Sequence, residues 1–312
     1  MTIVCEPGLL PALSPSTFKV LDPSLYRRIT PLLGGEFNPI YLPTLSAVTE
    51  GHASATVLVD RCDRPTRAVV ALAGGWVFPL GPADDIFARH TIPTLLAQCD
   101  NAYPLFAIWP ASADWERSLS ESYALSMSRI HFTYMGAVGE RQPLSTSISV
   151  SPIDFGAMAS ITEPIDPWLP GRWNGIAASS PTTFGYCVTI NGELASAAWA
   201  GLVGMRVAQF DVVTNPAHIR KGYGEAVCRA LLDHCAREKL VPYWSTDVAN
   251  TPSFHLALKL GFAPSSKSAA YVWCRDLPMP CPKWGSEVAE ISVNSPGSLP
   301  AVRIAYNEGR RE

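Results

Sequence analysis

The stretch Ile219-Arg220-Lys221-Gly222-Tyr223-Gly224 joins two cations to two glycines. A helical pattern follows directly, with apolar residues at Ala226, Val227, Ala230, Leu231 and Cys235 spaced by three and four. A helix start has backbone N–H groups without partners and carries positive partial charge. Glycine lets such a backbone approach a ligand closely. With Arg220 and Lys221 beside it, the loop suits an anion, most naturally a phosphate. A plain turn can show the same glycine spacing, so the surroundings decide. Upstream, Asp211 is the carboxylate in the apolar run Val207–Thr214. A carboxylate there needs a partner or a job, whether a structural hydrogen bond, a clamp on a substrate ammonium, or acceptance of a proton. Asp247 is its rival near the end of the next apolar run, 241–248. His218 and His255 read as solvated or packing residues.

These side chains need elements to hold them. Residues 147–153 alternate and read as a strand, and 154–180, with Trp168 and Trp173, as irregular or helical. Residues 184–203 read as two strands about the hairpin signal Asn191-Gly192. Val207–Thr214 is a further strand that feeds the glycine loop and its helix. Residues 241–248 form the next strand. Residues 250–262 predict a helix with Thr251 as cap, Pro252 at the first position and Gly261 closing it. Residues 269–275 are a last strand. Trp168, Trp173, Trp199 and Trp244 could line an acceptor cleft or simply pack in the core.

The first half repeats the order more faintly, with strands in 55–60 and 67–81, a helix over 84–98, a strand at 105–110, a helix at 113–125 and a strand at 129–135. Strand–strand–helix–strand–helix–strand twice implies two copies of one mixed α/β unit. Asp84 and Asp85 stand where the second copy has Arg220 and Lys221, and two carboxylates would repel a phosphate. The first copy therefore reads as degenerate, structural or substrate-shaping. A polar break at 136–147 and a Pro/Ser/Gly-rich stretch from Leu277 divide the chain into 1–140, 141–276 and an irregular tail, 277–312.

Composition narrows the classes. With 312 residues, 47% hydrophobic and 16% charged, two well-buried domains are expected. A net charge of −3 without a basic run argues against nucleic acid as a partner. No apolar stretch has the length of a membrane span, and the first residues do not read as a secretion signal, so the expected location is the cytoplasm. The eight cysteines show no Cys-x-x-Cys and no metal-like spacing with histidine. They read as small buried hydrophobes, and no metal is expected.

The combination of strand, Arg/Lys-Gly-x-Gly loop, helix, strand and then Asn250-x-x-Ser253 before the run LALKLGF resembles the GNAT acyl-CoA N-acetyltransferases over about 148–275. Pro216, six residues before Gly222, matches a proline often found there. More narrowly, the runs at 185–196, 211–226 and 242–262 resemble the group that includes zwittermicin A resistance acetyltransferases, which also carry a degenerate N-terminal half. The resemblance implies a mixed central sheet and acetyl-CoA as co-substrate. Its pyrophosphate would lie on the backbone of Arg220, Lys221, Gly222, Tyr223 and Gly224, with Ile219 where the family usually has Arg or Gln. Its pantetheine arm would pair with Val212, Val213 and Thr214 where two strands splay. Asn250 and Ser253 match polar positions beside that arm. The tyrosine that many members use as proton donor falls at Ala257, which makes Ser253 the substitute, unless it only satisfies the first helical turn. Asp211 would be the base, drawing a proton from the amine.

The expected reaction is acetyl transfer to a primary amine of a small molecule, such as an amine-bearing natural product or antibiotic, by direct attack in a ternary complex. A monomer is expected, because a tandem copy can stand in for a second subunit. Two other readings remain: a non-catalytic acyl-CoA sensor, favoured by Ala257, and an aminoacyl-transferring enzyme of the same fold, disfavoured by the acidic net charge.

Overall fold

The computed structural model describes residues 18–34, 37–72, 75–98, 105–123, 126–136, 149–154 and 182–274, and two short paired strands, Ile291–Ser292 and Arg303–Ile304. Trp168 and Trp173, and most of the 154–180 segment and of the tail, lie outside the described residues.

The first half holds β1 (Lys19–Val20), a 3-10 segment Pro23–Leu33, α1 (Leu42–Thr49), β2 (Ala55–Val59), β3 (Ala68–Leu72), β4 (Trp76–Leu80), α2 (Ile92–Gln98), β5 (Leu105–Ile108), α3 (Ala113–Ser122) and β6 (Ser126–Tyr134). The second half holds β7 (Ser151–Pro152), β8 (Phe184–Ile190), β9 (Glu193–Gly204), β10 (Val207–Thr214), α4 (Tyr223–Glu238), β11 (Val241–Asp247), α5 (Thr251–Lys259) and β12 (Phe262–Cys274). The hairpin falls where Asn191-Gly192 places it, with both residues at positive φ (52° and 83°), as a type I′ turn requires. The strand expected at 269–275 begins earlier, at Phe262, because β12 has partners along its whole length. The helix expected over 84–98 opens as a wider π-turn, Phe87–Thr91, before α2.

Strands β1 to β12 form one sheet in the order β1-β2-β3-β4-β5-β12-β6-β11-β10-β9-β8-β7. The order is nearly palindromic. Antiparallel strands on each flank lead to a parallel pair, β4–β5 and β10–β11, and between these pairs the last strands of the two halves are exchanged. β12 lies between β5 and β6, and β6 lies between β12 and β11. The cores follow the exchange. Ala270, Tyr271 and Trp273 of β12 pack in the first-half core, and Ile130 and Phe132 of β6 pack in the second-half core. A fragment starting near residue 141 would lack β6. Without β5 and β6 it would leave one edge of β11 and both edges of β12 unpaired, and it would remove two large apolar side chains. We expect that fragment to show no cooperative thermal transition, whereas the full chain melts cooperatively.

α1 packs on β9 and couples the halves further. A Cβ on Gly204 would lie 2.1 Å from Pro43 O and 2.5 Å from Ala47 N, so glycine is required by space. Gly204→Ala would push α1 off the sheet. The expected cost is about 3 kcal/mol, the upper end of ordinary overpacking because the clash is with backbone. It would read as a clear fall in melting temperature.

Candidate active site

β10 and β11 run side by side for only three residue pairs, Val207–Val241, Ala208–Pro242 and Gln209–Tyr243. Beyond that, β10 stays with β9 while β11 stays with β6. The cause is local. Gln209 lies opposite Leu202 and Phe210 opposite Ala200, which leaves Gly201 as an extra residue on β9. Such a bulge bends a strand and increases its twist. It falls at the point where β10 leaves β11. A cleft thus opens between Phe210–Thr214 and Trp244–Asp247, with Val212, Val213 and Thr214 half-buried along it. Backbone groups turned into the cleft have no strand to pair with.

The glycine loop closes one end. Asn215 Oδ1 accepts from Ala217 N at 3.0 Å and starts a 3-10 turn, Pro216–His218. Arg220 (φ 63°) and Gly222 (φ 82°) are both left-handed. Left-handed and right-handed residues in alternation aim successive N–H groups to one side, an anion-binding nest. α4 then begins at Tyr223, and its cap residue, Gly222, supplies no side-chain acceptor to the open N–H groups. A Cβ on Gly224 would be 3.1 Å from Thr214 Oγ1, so the helix start lies against the end of β10. Ser196 Oγ fixes that end, 2.8 Å from Val213 O and 2.9 Å from Thr214 Oγ1. Lys221 Nζ folds back to donate to Ala217 O at 3.0 Å, while the Arg220 and Ile219 side chains are exposed. Tyr223 is buried against His218. The backbone and Arg220 therefore face an anion more directly than Lys221 does.

On the other wall, Asn250 and not Thr251 caps α5: Asn250 Oδ1 accepts from Ser253 N at 3.2 Å. The expected cap is off by one residue because both side chains can cap and the chain reaches helical geometry at Thr251. Ser253 Oγ accepts a hydrogen bond from Trp244 Nε1 at 3.2 Å. The indole uses an oxygen lone pair and leaves the Ser253 hydroxyl proton available to donate. Ala257 is fully buried. His255 is exposed on α5, its ring edge-on to Phe254.

Asp211 is half-buried, opposite Trp199 on β9. Its neighbour Phe210 packs in the core beneath α4, so strand alternation puts Asp211 with Gln209 on the other face. There a narrow pocket is lined by Gln209, Tyr243 and Ser245, by Arg129 and His131 of β6, and by first-half residues including Tyr41, Trp76 and Trp109. Arg129 Nη2 donates to Ser245 O at 2.7 Å and to Ser245 Oγ at 2.9 Å. Its guanidinium lies 5.6 Å from the Trp76 ring centre and 5.8 Å from that of Trp109. Burial lowers the Arg129 pKa, and Asp211, Tyr243 and Asp247 act the other way and support its charge. Asp247 is also committed to a turn, accepting from Ala249 N at 2.8 Å. Trp199 and Trp244 are both buried. Arg129, His131 and Tyr243 were not among the residues expected from sequence. The signal available was a cation and an imidazole at alternate positions of an apolar strand.

His131 Nδ1 bonds the Tyr243 hydroxyl, and Nε2 lies 2.6 Å from Ser268 Oγ. Burial, and then the Arg129 charge, push its pKa down to about 4. A histidine depressed in the folded state costs nothing while both states are neutral. As pH falls below about 6.5 the unfolded chain gains the proton first and stability declines, until the folded pKa is passed. Thermal melts should therefore drop between about pH 6.5 and 4, and His131→Gln should flatten that slope.

The first-half segment in which Asp84 and Asp85 are expected to stand in for the cations is occupied by their own hydrogen bonds. Asp84 Oδ1 accepts from Ile86 N at 2.9 Å and Phe87 N at 3.0 Å, and Asp84 Oδ2 lies 3.4 Å from Arg67 Nη2. Asp85 Oδ1 accepts from Ser118 Oγ at 2.7 Å. Here the helix start holds a carboxylate of its own.

Among the described residues no group of three or more His, Cys, Asp or Glu could hold a metal, and no helix is long and apolar enough to cross a membrane. Cys228 and Cys235 are buried in α4, and burial pushes the Cys235 thiol up to about 12.

A family model described as GNAT acetyltransferase matches residues 37–271, both halves together. An uncharacterized N-acetyltransferase of Bacillus subtilis (strain 168), YdfB, is 22% identical over 75% of this chain and 92% of its own. The crystal structure of a GCN5-related N-acetyltransferase-like protein from Streptococcus suis 89/1591 superposes with a TM-score of 0.57 at 19% identity, covering 80% of this chain and 98% of that one. A tandem GNAT protein from the clavulanic acid biosynthesis pathway superposes with a TM-score of 0.54 at 11% identity, covering 84% and 99%. At these identities the two structures speak for the fold.

Proposed function

The chain belongs to the GNAT acetyltransferase family, and on that premise we propose that it moves acetyl from acetyl-CoA to the primary amine of a small molecule by direct attack in a ternary complex. The observation that carries this reading is the three-pair contact of β10 and β11 beside an uncapped, nest-like helix start. The residues present fit the co-substrate. Nothing lies within 4 Å of a Cβ built on Gly222, so the nest is open. Open N–H groups of Arg220 to Gly224 would hold the pyrophosphate, and Val212 to Thr214 would pair with the pantetheine arm. Bound there, acetyl-CoA supplies a thioester carbonyl to the cleft.

The chain's own residues would then do the rest. Asp211 accepts a proton from the ammonium, so that a neutral amine can attack. The Ser253 hydroxyl, oriented by Trp244, donates toward the leaving thiolate. Asn250 holds the first turn of α5 so that Ser253 faces the cleft. The first half would carry no second co-substrate, because Asp84 occupies its helix start. In this reading the protein acts as a monomer, the first half standing where a second subunit would. Its acceptor is a metabolite-sized amine, of which an antibiotic is one form.

An amine panel with acetyl-CoA, read by mass spectrometry, tests the reaction, and calorimetry should give one coenzyme A per chain. The buried Ala257 favours a non-catalytic acyl-CoA sensor as the second reading. Binding without acetylation of any amine would establish that reading instead.

A further inference from the structure

The pocket beside Asp211 has a chemical bias that sharpens the acceptor. Three polar atoms on its lining residues are sealed from solvent, Arg129 Nε, Trp109 Nε1 and the Tyr41 hydroxyl, and the first two have no hydrogen-bond partner among the described residues. They are close neighbours. Tyr41 and Trp109 rings are 5.9 Å apart, and the Arg129 guanidinium lies over Trp109. The Tyr41 hydroxyl has Ser268 as a hydrogen-bonding neighbour, which leaves Arg129 Nε and Trp109 Nε1 as the two open donors. Two of the three atoms can only donate, and the third donates readily. Buried donors without acceptors are rare in folded proteins and call for a missing partner.

From this cluster we infer that the pocket receives a carboxylate on the acceptor, so that the substrate is an amine that also bears a carboxylate, as amino acids do. This rests on the acetyl-transfer reading and deepens it. A carboxylate accepts only, and its two oxygens can take both open donors. An amine in the same place would set donors against donors. Charge ranks the anions: with Asp211 and Asp247 already facing Arg129, a dianionic phosphate would be repelled more strongly than a single carboxylate. The amine end of such a substrate would point toward Asp211, on the same sheet face as Arg129. The Trp76 and Trp109 rings hold the guanidinium from the side and leave its edge for the ligand.

The test pairs each of a homologous series of amino acids with its carboxamide. Both are offered with acetyl-CoA, and both are titrated onto the protein alone, read by tryptophan fluorescence. The free acid should be preferred roughly ten- to a hundredfold in kcat/KM or in affinity. Arg129→Met should erase that preference. Because Arg129 also holds the Ser245 backbone, Trp109→Phe serves as the second variant. It deletes one open donor, keeps an aromatic ring and should shrink the preference by about fivefold to tenfold. Acids and amides acetylated alike would overturn the inference and leave the acetyltransferase intact. Selective binding of the acids without acetylation would support the inference and remove the reaction. A preference for acids that survives both substitutions would place the carboxylate elsewhere and overturn it.

Discussion

Gly224→Glu is expected to weaken coenzyme A binding by at least about a hundredfold, measured by calorimetry. Two effects act together. The added side chain starts 3.1 Å from Thr214 Oγ1, where the helix start meets the end of β10, so the loop must shift. The carboxylate then competes for the N–H groups that Gly222 leaves open, as Asp84 does in the first half. A negative charge at a helix N-terminus is favourable to the helix by about 0.3–1 kcal/mol, so the variant should fold while losing its ligand. Gly224→Ala separates the effects: it brings the contact without the charge, and its loss should be much smaller. Equal affinity for Gly224→Glu and the parent would falsify the loop as the anion site.

How much of this was legible in the sequence depends on how far apart the cooperating residues stand. The glycine loop, α4, β10 and the Asn191-Gly192 turn rest on neighbours within a few residues, and each lies where its pattern puts it. The caps shift by one residue where Asn250 and Thr251 compete, because either side chain can accept from the first turn. The exchange of β6 and β12 was hidden. Both read as apolar strands, and nothing local says which of several such strands is the neighbour. The pocket was hidden for the same reason. Tyr41, Trp109, Arg129 and Tyr243 come from both halves, and only the exchanged sheet brings them together. The expected divide at 140 marks a break in composition, but the sheet and both cores run across it.

Asp211→Asn is expected to lower kcat by roughly a hundredfold to a thousandfold near neutral pH. The amide keeps the shape and removes the proton-accepting strength. The deficit should narrow as pH rises, because the amine then loses its proton to solvent before it binds. The Michaelis constant for acetyl-CoA should hold, since Asp211 lies on the face of β10 opposite Phe210 and α4. A second role complicates the reading: Asp211 also supports the charge of Arg129. Asp247→Asn is the control for that role. Asp247 faces the same guanidinium, but its carboxylate is tied to the turn at Ala249. If Asp211 acts as the base, only its variant shows a rate that climbs back with pH, while both lose some thermal stability. If the two variants share one pH profile, the carboxylates serve Arg129 alone, and the proton leaves the amine by another route.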